Sequence, residues 1–135
     1  MSKTIINFEI VESIIGNTYY NELKLNGTVL GYLSYIQQAN NSFFINQLYI
    51  YPLFRGNKLA SLLLQSVCSE LSIGATKISV CPLPFEKDAN DKDKIIWFEG
   101  DEELQKIVKL KNFYKKHGFV ENQKNMELLI KKEAL

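Results

Sequence analysis

The sequence predicts an α/β protein, a mixed and mostly antiparallel sheet with two main helices. Three observations carry that prediction. Asn26-Gly27 is flanked by two runs, 19–25 and 28–37. A long aromatic and β-branched run, 43–51, stops at Pro52 and is followed by an apolar stripe at Leu59, Leu62, Leu63, Ser66, Val67 and Leu71. A short apolar run, 77–81, comes next and is cut off by Pro82 and Pro84.

Each element has its own warrant. Residues 4–11 are rich in Ile, Phe and Val, with Ile6, Phe8 and Ile10 on one face, and predict a first strand. Residues 13–17 supply a turn around Gly16. An Asn-Gly pair tolerates positive φ at both central positions, so it closes a two-residue type I′ hairpin at little cost. That predicts strands two and three. Asn40-Asn41 make another turn, and residues 43–51 form strand four. Pro52 cannot donate to a ladder and ends it. Spacings of three and four give the first helix one apolar face, with Gly74 beyond its end. Residues 77–81 are strand five. A strand-helix-strand run requires a crossover, so strands four and five are predicted to pair in parallel. A second helix spans 103–116, with Gly118 as its stop and Lys115, Lys116 and His117 complementing the dipole. Residues 119–121 and 125–131 close the chain as a hairpin.

Composition bounds the function. The chain has 135 residues and is 46% hydrophobic, enough for one domain with its own core, here 1–135. Net charge is +1 and no dense Lys/Arg cluster occurs, so no nucleic-acid partner is expected. Two cysteines, Cys68 and Cys81, and one histidine make no zinc pattern, and no metal is expected. Lone thiols suit a reducing compartment. The charged start lacks a signal-peptide core, and no apolar run approaches the ~20 residues of a membrane span. The expected location is cytoplasmic, with no membrane partner.

Residues 82–103 stand apart. They hold eight acidic residues and three lysines, a balance of −5 against +6 for the remainder. Their one dense apolar patch is Ile95-Ile96-Trp97-Phe98. This segment is expected to be a long ordered loop or a short helical insertion, and loops of that length are usually functional.

The chemistry centres on residues 47–64, QLYIYPLFRGNKLASLLL. A strand ends, a short loop carries Arg55-Gly56, and a helix begins at once. A helix start leaves four backbone N–H groups unpartnered and carries partial positive charge. Arg55 and Lys58 add full charges, and Gly56 lets the backbone approach a ligand. Such a start is a pyrophosphate cradle; a plain strand-to-helix turn would read the same way. The second informative stretch is residues 109–119, KLKNFYKKHGF, where an aromatic pair ends a helix before a Gly-Phe strand start.

Taken together, the two stretches resemble the GCN5-related N-acetyltransferase (GNAT) superfamily. Its acetyl-CoA motif, R/Q-x-x-G-x-G/A, is matched at its first and last positions by Arg55-Gly56-Asn57-Lys58-Leu59-Ala60, after the strand Leu48-Tyr49-Ile50-Tyr51-Pro52. Its later motif, F/L-Y-x-x-x-G-F, is met by Phe113-Tyr114-Lys115-Lys116-His117-Gly118-Phe119. The resemblance covers residues 19–131. It implies the acyl-CoA N-acyltransferase fold, a six- to seven-stranded sheet with a splayed parallel strand pair, and acetyl-CoA as co-substrate. Lys58 departs from the motif's central glycine. Ile107 replaces the Asn common in the last helix, the helices after strand one are missing or reduced to a turn, and Asn46-Gln47 replace a strand-four Glu.

The activity so implied is transfer of acetyl from acetyl-CoA to a primary amine, on a small molecule or a protein, by direct attack in a ternary complex. The backbone of Leu48, Tyr49 and Ile50 would hold the pantetheine arm. A strand N–H, of Leu48 or Tyr49, would stabilise the oxyanion. Backbone N–H groups of Arg55, Gly56, Asn57, Lys58, Leu59 and Ala60, with the Ser61 hydroxyl, would bind the pyrophosphate. Tyr114 would protonate the leaving thiolate. For the base, a water held by Gln47 ranks above Glu99 or Asp101. Trp97, Phe98 and Glu99 would meet the amine; Trp97 and Phe98 could instead anchor the insertion. His117 reads as a helix cap and Cys81 as a structural thiol. Alternatives are an inactive GNAT-like CoA-binding module, a toxin-type acetyltransferase acting on aminoacyl-tRNA, and an interaction domain with no CoA site. Exposed edge strands at the C-terminal hairpin allow a homodimer.

Overall fold

The computed structural model describes residues 8–38 and 41–130. Among these, strands β1 (Phe8–Ile15), β2 (Thr18–Leu25), β3 (Thr28–Gln37) and β4 (Ser42–Ile50) come first. Helix α1 (Leu59–Leu71), β5 (Lys77–Val80), β6 (Phe85–Lys87), β7 (Ile95–Trp97), helix α2 (Gly100–Lys116), β8 (Val120–Asn122) and β9 (Asn125–Leu129) follow. Seven strands form one sheet in the order β1-β2-β3-β4-β5-β9-β8, and β6 pairs with β7 alone. The expected mixed, mostly antiparallel sheet with two helices is present.

Tight turns build the first half. β1 and β2 pair from Phe8↔Leu25 to Ile15↔Thr18, leaving only Gly16-Asn17 as the connection. The strand therefore runs to Ile15, and the expected turn from Ser13 shrinks to two residues. The earlier part of the predicted strand, including Ile6, lies outside the described residues. Asn26 and Gly27 both take positive φ, 49° and 85°, as the type I′ hairpin requires. No helix can fit between β1 and β2.

The crossover is parallel. The Thr76 N–H donates to the Asn41 carbonyl at 2.9 Å, so β4 and β5 start side by side. The Ile130 N–H donates to the Thr76 carbonyl at 3.0 Å, which sets the end of β9 beside the start of β5. α1 buries Leu59, Leu63, Leu64, Val67 and Cys68. Leu63 and Leu64 are fully buried, as are Leu23 and Leu33 of the sheet. Each such leucine contributes about 2 kcal/mol of transfer free energy. α1 covers the face carrying Leu23, Leu33 and Tyr35, for Glu70 lies within electrostatic reach of the Tyr35 hydroxyl.

The chain divides into two compact units, one containing residues up to Ser79 together with Leu129 and Ile130, the other Val80–Leu128. In the second, the acidic segment is neither loop nor helix throughout, and its last residues begin α2. Ahead of α2 it folds as a hairpin, with Phe85↔Trp97 and Lys87↔Ile95 in register. Its tip is tied by the Asp88 N–H to the Lys94 carbonyl and the Lys94 N–H to the Asp91 carbonyl, both 3.0 Å. α2 begins at Gly100, earlier than expected, because Asp101, Glu102 and Glu103 serve as its first turn. Carboxylates there are favoured by the helix dipole. At the other end Gly118, at φ 90°, stops the helix. Among the described residues no helix is long and apolar enough to cross a membrane.

Candidate functional site

The end of β4 is the best-defined site feature. Its pairing with β3 slips between Ile45 and Gln47, so Asn46 is an extra, bulged residue. Side chains alternate along a strand, so one extra residue reverses the faces of all that follow. Phe43 and Ile45 share the α1-covered face with Tyr35. Beyond the bulge, Gln47 and Tyr49 join Ser34 and Tyr32 on the opposite face. Nothing in the sequence period announces this bulge, apart from the polar Asn46-Gln47 pair in an apolar run.

That opposite face is aromatic. Tyr20, Tyr32, Tyr49 and Tyr51 form a chain of ring contacts with centroid spacings of 6.5, 6.1 and 5.5 Å. The Tyr32 hydroxyl donates to Gln47 Oε1 at 2.7 Å. Burial holds the Tyr32 phenol well above the ordinary tyrosine range, and Tyr51, Tyr49 and Tyr20 push the same way. Sequence reasoning missed Tyr32; its pairing with Gln47 depends on register across a bulge.

Backbone direction follows from one hydrogen bond. The Tyr51 N–H donates to the Leu30 carbonyl of β3 at 3.0 Å. Alternation then turns the backbone groups of Tyr49 toward β3 and those of Leu48 and Ile50 away from it. The Ile50 carbonyl accepts from Arg55 Nε at 2.8 Å, consistent with that direction. The Arg55 guanidinium also sits 5.2 Å from the centre of the Tyr49 ring. Arg55 thus latches the loop to the strand it follows.

The loop itself has alternating handedness. Pro52–Phe54 make one 3₁₀ turn, and the Arg55 N–H donates to the Pro52 carbonyl. Gly56 and Lys58 take positive φ, 89° and 59°, while Asn57 between them does not. Such alternation points successive N–H groups into one concavity, an anion nest. Lys58 occupies the left-handed conformation that a glycine would take, so the motif's backbone shape survives the substitution. It is also the N-cap of α1, makes no side-chain capping bond, and no acidic residue follows in the first turn. The helix start therefore keeps its positive end for an anion.

Tyr114, His117, Trp97, Phe98 and Glu99 lie in the second unit, and Cys68 in the first. Tyr114 is buried in the last turn of α2, with Phe113 and Phe119 rings 5.2 and 5.3 Å away. Its carbonyl accepts from the N–H groups of His117 and Phe119, so the motif's Tyr-to-Phe spacing is the spacing of a helix stop. His117 caps through its backbone N–H and packs 5.0 Å from Phe113. Trp97 is 58% exposed and rests against Phe85 across the hairpin. Phe98 lies under Lys106 Nζ at 4.6 Å. Glu99 is the exposed N-cap of α2. Cys68 is buried and its thiol is pushed up to about 12 by burial. Among the described residues no group of three His, Cys, Asp or Glu side chains could hold a metal ion.

Comparison with known proteins shows the family and the fold. The sequence profile of the Acetyltransferase (GNAT) family matches residues 6–89, more than half of the chain. The chain belongs to the GNAT acetyltransferase family. It is similar to a GNAT-family protein from Desulfovibrio desulfuricans, with TM-score 0.64 and 12% identity over 85% of this chain and 70% of that one. The ribosomal-protein-S18-alanine N-acetyltransferase of Escherichia coli gives TM-score 0.59 and 14% identity, covering 87% and 72% of the two chains. PaiA N-acetyltransferase from Thermoplasma acidophilum, solved with coenzyme A, gives 0.55 and 17%, covering 84% and 61%. No curated protein matches the sequence significantly.

Proposed function

We propose that the protein binds acetyl-CoA along β4 and the α1 start and transfers the acetyl group to a primary amine. One observation carries this reading: an uncapped helix start preceded by a loop with left-handed backbone at Gly56 and Lys58. In this reading the pyrophosphate takes N–H groups from Gly56 to Ala60, with the Ser61 hydroxyl and the Lys58 ammonium beside them. The Arg55 N–H is already committed within the 3₁₀ turn. The pantetheine arm pairs with Leu48 and with the Ile50 N–H, whose directions support that role. Of Leu48 and Tyr49, only Leu48 turns its N–H away from β3, so it is the oxyanion donor.

The amine nitrogen attacks the thioester carbonyl. The oxyanion gains its hydrogen bond as negative charge develops, where such a donor is worth most. The C–S bond breaks, and Tyr114 gives its phenolic proton to the thiolate, as the family motif implies. The amine sheds a proton to water; β4 offers no carboxylate, and an amide cannot take a proton at neutral pH. Glu99 and Asp101 are the carboxylates nearest in sequence to the aromatic pair Trp97-Phe98, which would flank the acceptor. A CoA-binding module without turnover is the second reading, favoured by Asn46-Gln47 in place of an acid.

Calorimetric titration with acetyl-CoA tests the binding, comparing wild type with Gly56→Trp. Binding near micromolar, lost in the variant while its melting transition persists, is the expected result. Wild-type protein that takes up no acetyl-CoA would sink the proposal. Thiol release over an amine panel then separates enzyme from module.

A further inference from the structure

The hydrogen bond between Tyr32 and Gln47 has a polarity, and polarity selects ligands. The phenol donates and Oε1 accepts, at 2.7 Å. A side-chain amide presents its acceptor and its donors at opposite edges of one planar group. Committing Oε1 to Tyr32 turns the Nε2 N–H groups away from it. The Tyr32 ring is itself held between Tyr20 and Tyr49 and is only 7% exposed. Its proton is not lost at any physiological pH, since burial and the three neighbouring tyrosines all disfavour the phenolate. The phenol therefore keeps the proton that it donates to Gln47 Oε1. Gln47 stands next to Leu48, whose N–H leaves the β3 edge, and follows the Asn46 bulge that turned it to this face.

Resting on the acetyltransferase reading above, we infer that Tyr32 is a positioning residue that makes Gln47 a hydrogen-bond donor, and that the acceptor amine carries a carbonyl or carboxylate oxygen close by. An ammonium or a bare alkylamine needs an acceptor at this point and meets N–H groups instead. An α-amino amide, an amino acid or a peptide amino terminus offers the matching oxygen. A buried polar group left unmatched by the wrong ligand is the usual source of strong discrimination.

The test uses the full chain, acetyl-CoA, and two amines that differ by one group: alaninamide and isopropylamine. The measured quantity is the ratio of their kcat/KM values, compared between proteins so that intrinsic reactivity cancels. Tyr32→Phe keeps the ring and removes the donor, freeing the amide to turn. Its ratio should fall about tenfold through the KM for alaninamide, with kcat and acetyl-CoA affinity retained. Gln47→Glu still accepts from Tyr32 but presents an acceptor outward, so its ratio should fall further, with isopropylamine gaining. An unchanged ratio in Tyr32→Phe, with acetyl-CoA binding intact, overturns the inference and leaves the acetyltransferase proposal standing. Loss of acetyl-CoA binding by wild type instead overturns that proposal. A second readout needs no turnover. In wild type saturated with coenzyme A, which has no acetyl group to transfer, alaninamide should shift the Gln47 side-chain amide resonances and isopropylamine should not; no shift from alaninamide also overturns the inference.

Discussion

Lys58 is the residue at which sequence and structure inform each other most. It breaks the glycine pattern of the loop, yet its backbone sits at φ 59°, ψ 24°. A side chain in that region costs roughly 1 kcal/mol. Lys58→Gly is thus expected to raise stability by about that much, read by denaturant melts, and to weaken acetyl-CoA binding severalfold by removing the ammonium. A gain in stability with no change in affinity would detach the charge from phosphate binding. Asn21 shows the opposite economy. It is 2% exposed and its Nδ2 has no partner, a buried donor left unmet. Such a group costs about 1–3 kcal/mol, so Asn21→Val should leave the melting temperature unchanged or raised. Cys68 gives a pH signature. Its thiol is held up to about 12, against an ordinary 9.0. Above pH 9 the unfolded chain releases this proton and the folded one keeps it, so stability falls as pH rises. The loss is about 1 kcal/mol between pH 9 and 10, because the unfolded thiol is only half ionised at pH 9. Cys68→Ala, compared with wild type at both pH values, should lose that part of the fall.

At the level of elements, the close approach of β3 and β4 rests on Gly31. A Cβ there would meet the Tyr49 carbonyl oxygen and come within 2.6 Å of Ile50 Cδ1 and 2.9 Å of its Cα. Backbone cannot yield cheaply, and overpacking of this kind costs about 1–3 kcal/mol. Gly31→Ala should therefore lower stability by that amount and also displace the end of β4, so acetyl-CoA affinity should fall with it. Most elements were legible in the sequence. The Asn26-Gly27 hairpin, the striped helix and the crossover strand each had a local signal with one physical reading. The bulge at Asn46 had none, because it is a property of two strands in register rather than of one. The Arg55 latch was hidden for the same reason. Its positive charge was plain, but its contact with Ile50 and Tyr49 arises only when the loop folds back on its strand.

Across the whole molecule, the sequence misled most in residues 82–103. Charge density made that stretch look like a loop, but three of its acids belong to a helix start and Phe85 pairs with Trp97. Alternation over three residues is too short to be seen from sequence as a strand. The Lys87-to-Lys94 tip remains irregular and its Lys92 and Lys94 are exposed. Limited trypsin digestion should cut first after one of these lysines, with products mapped by mass; first cleavage within α1 would contradict the picture. The sheet's outer strands are β1 and the three-residue β8 of the C-terminal hairpin.

The bulge at Asn46 also gives β4 a kind of arithmetic. Every other residue of the strand counts toward parity: remove one, and all that follow change sides. Asn46 alone counts as zero, since Ile45 and Gln47 already face consecutive residues of β3, Tyr35 and Ser34. Losing that single codon would leave each neighbour on its present side and simply straighten the strand. A chain shortened there should stay folded, and whatever activity it then lacks would belong to the bend itself.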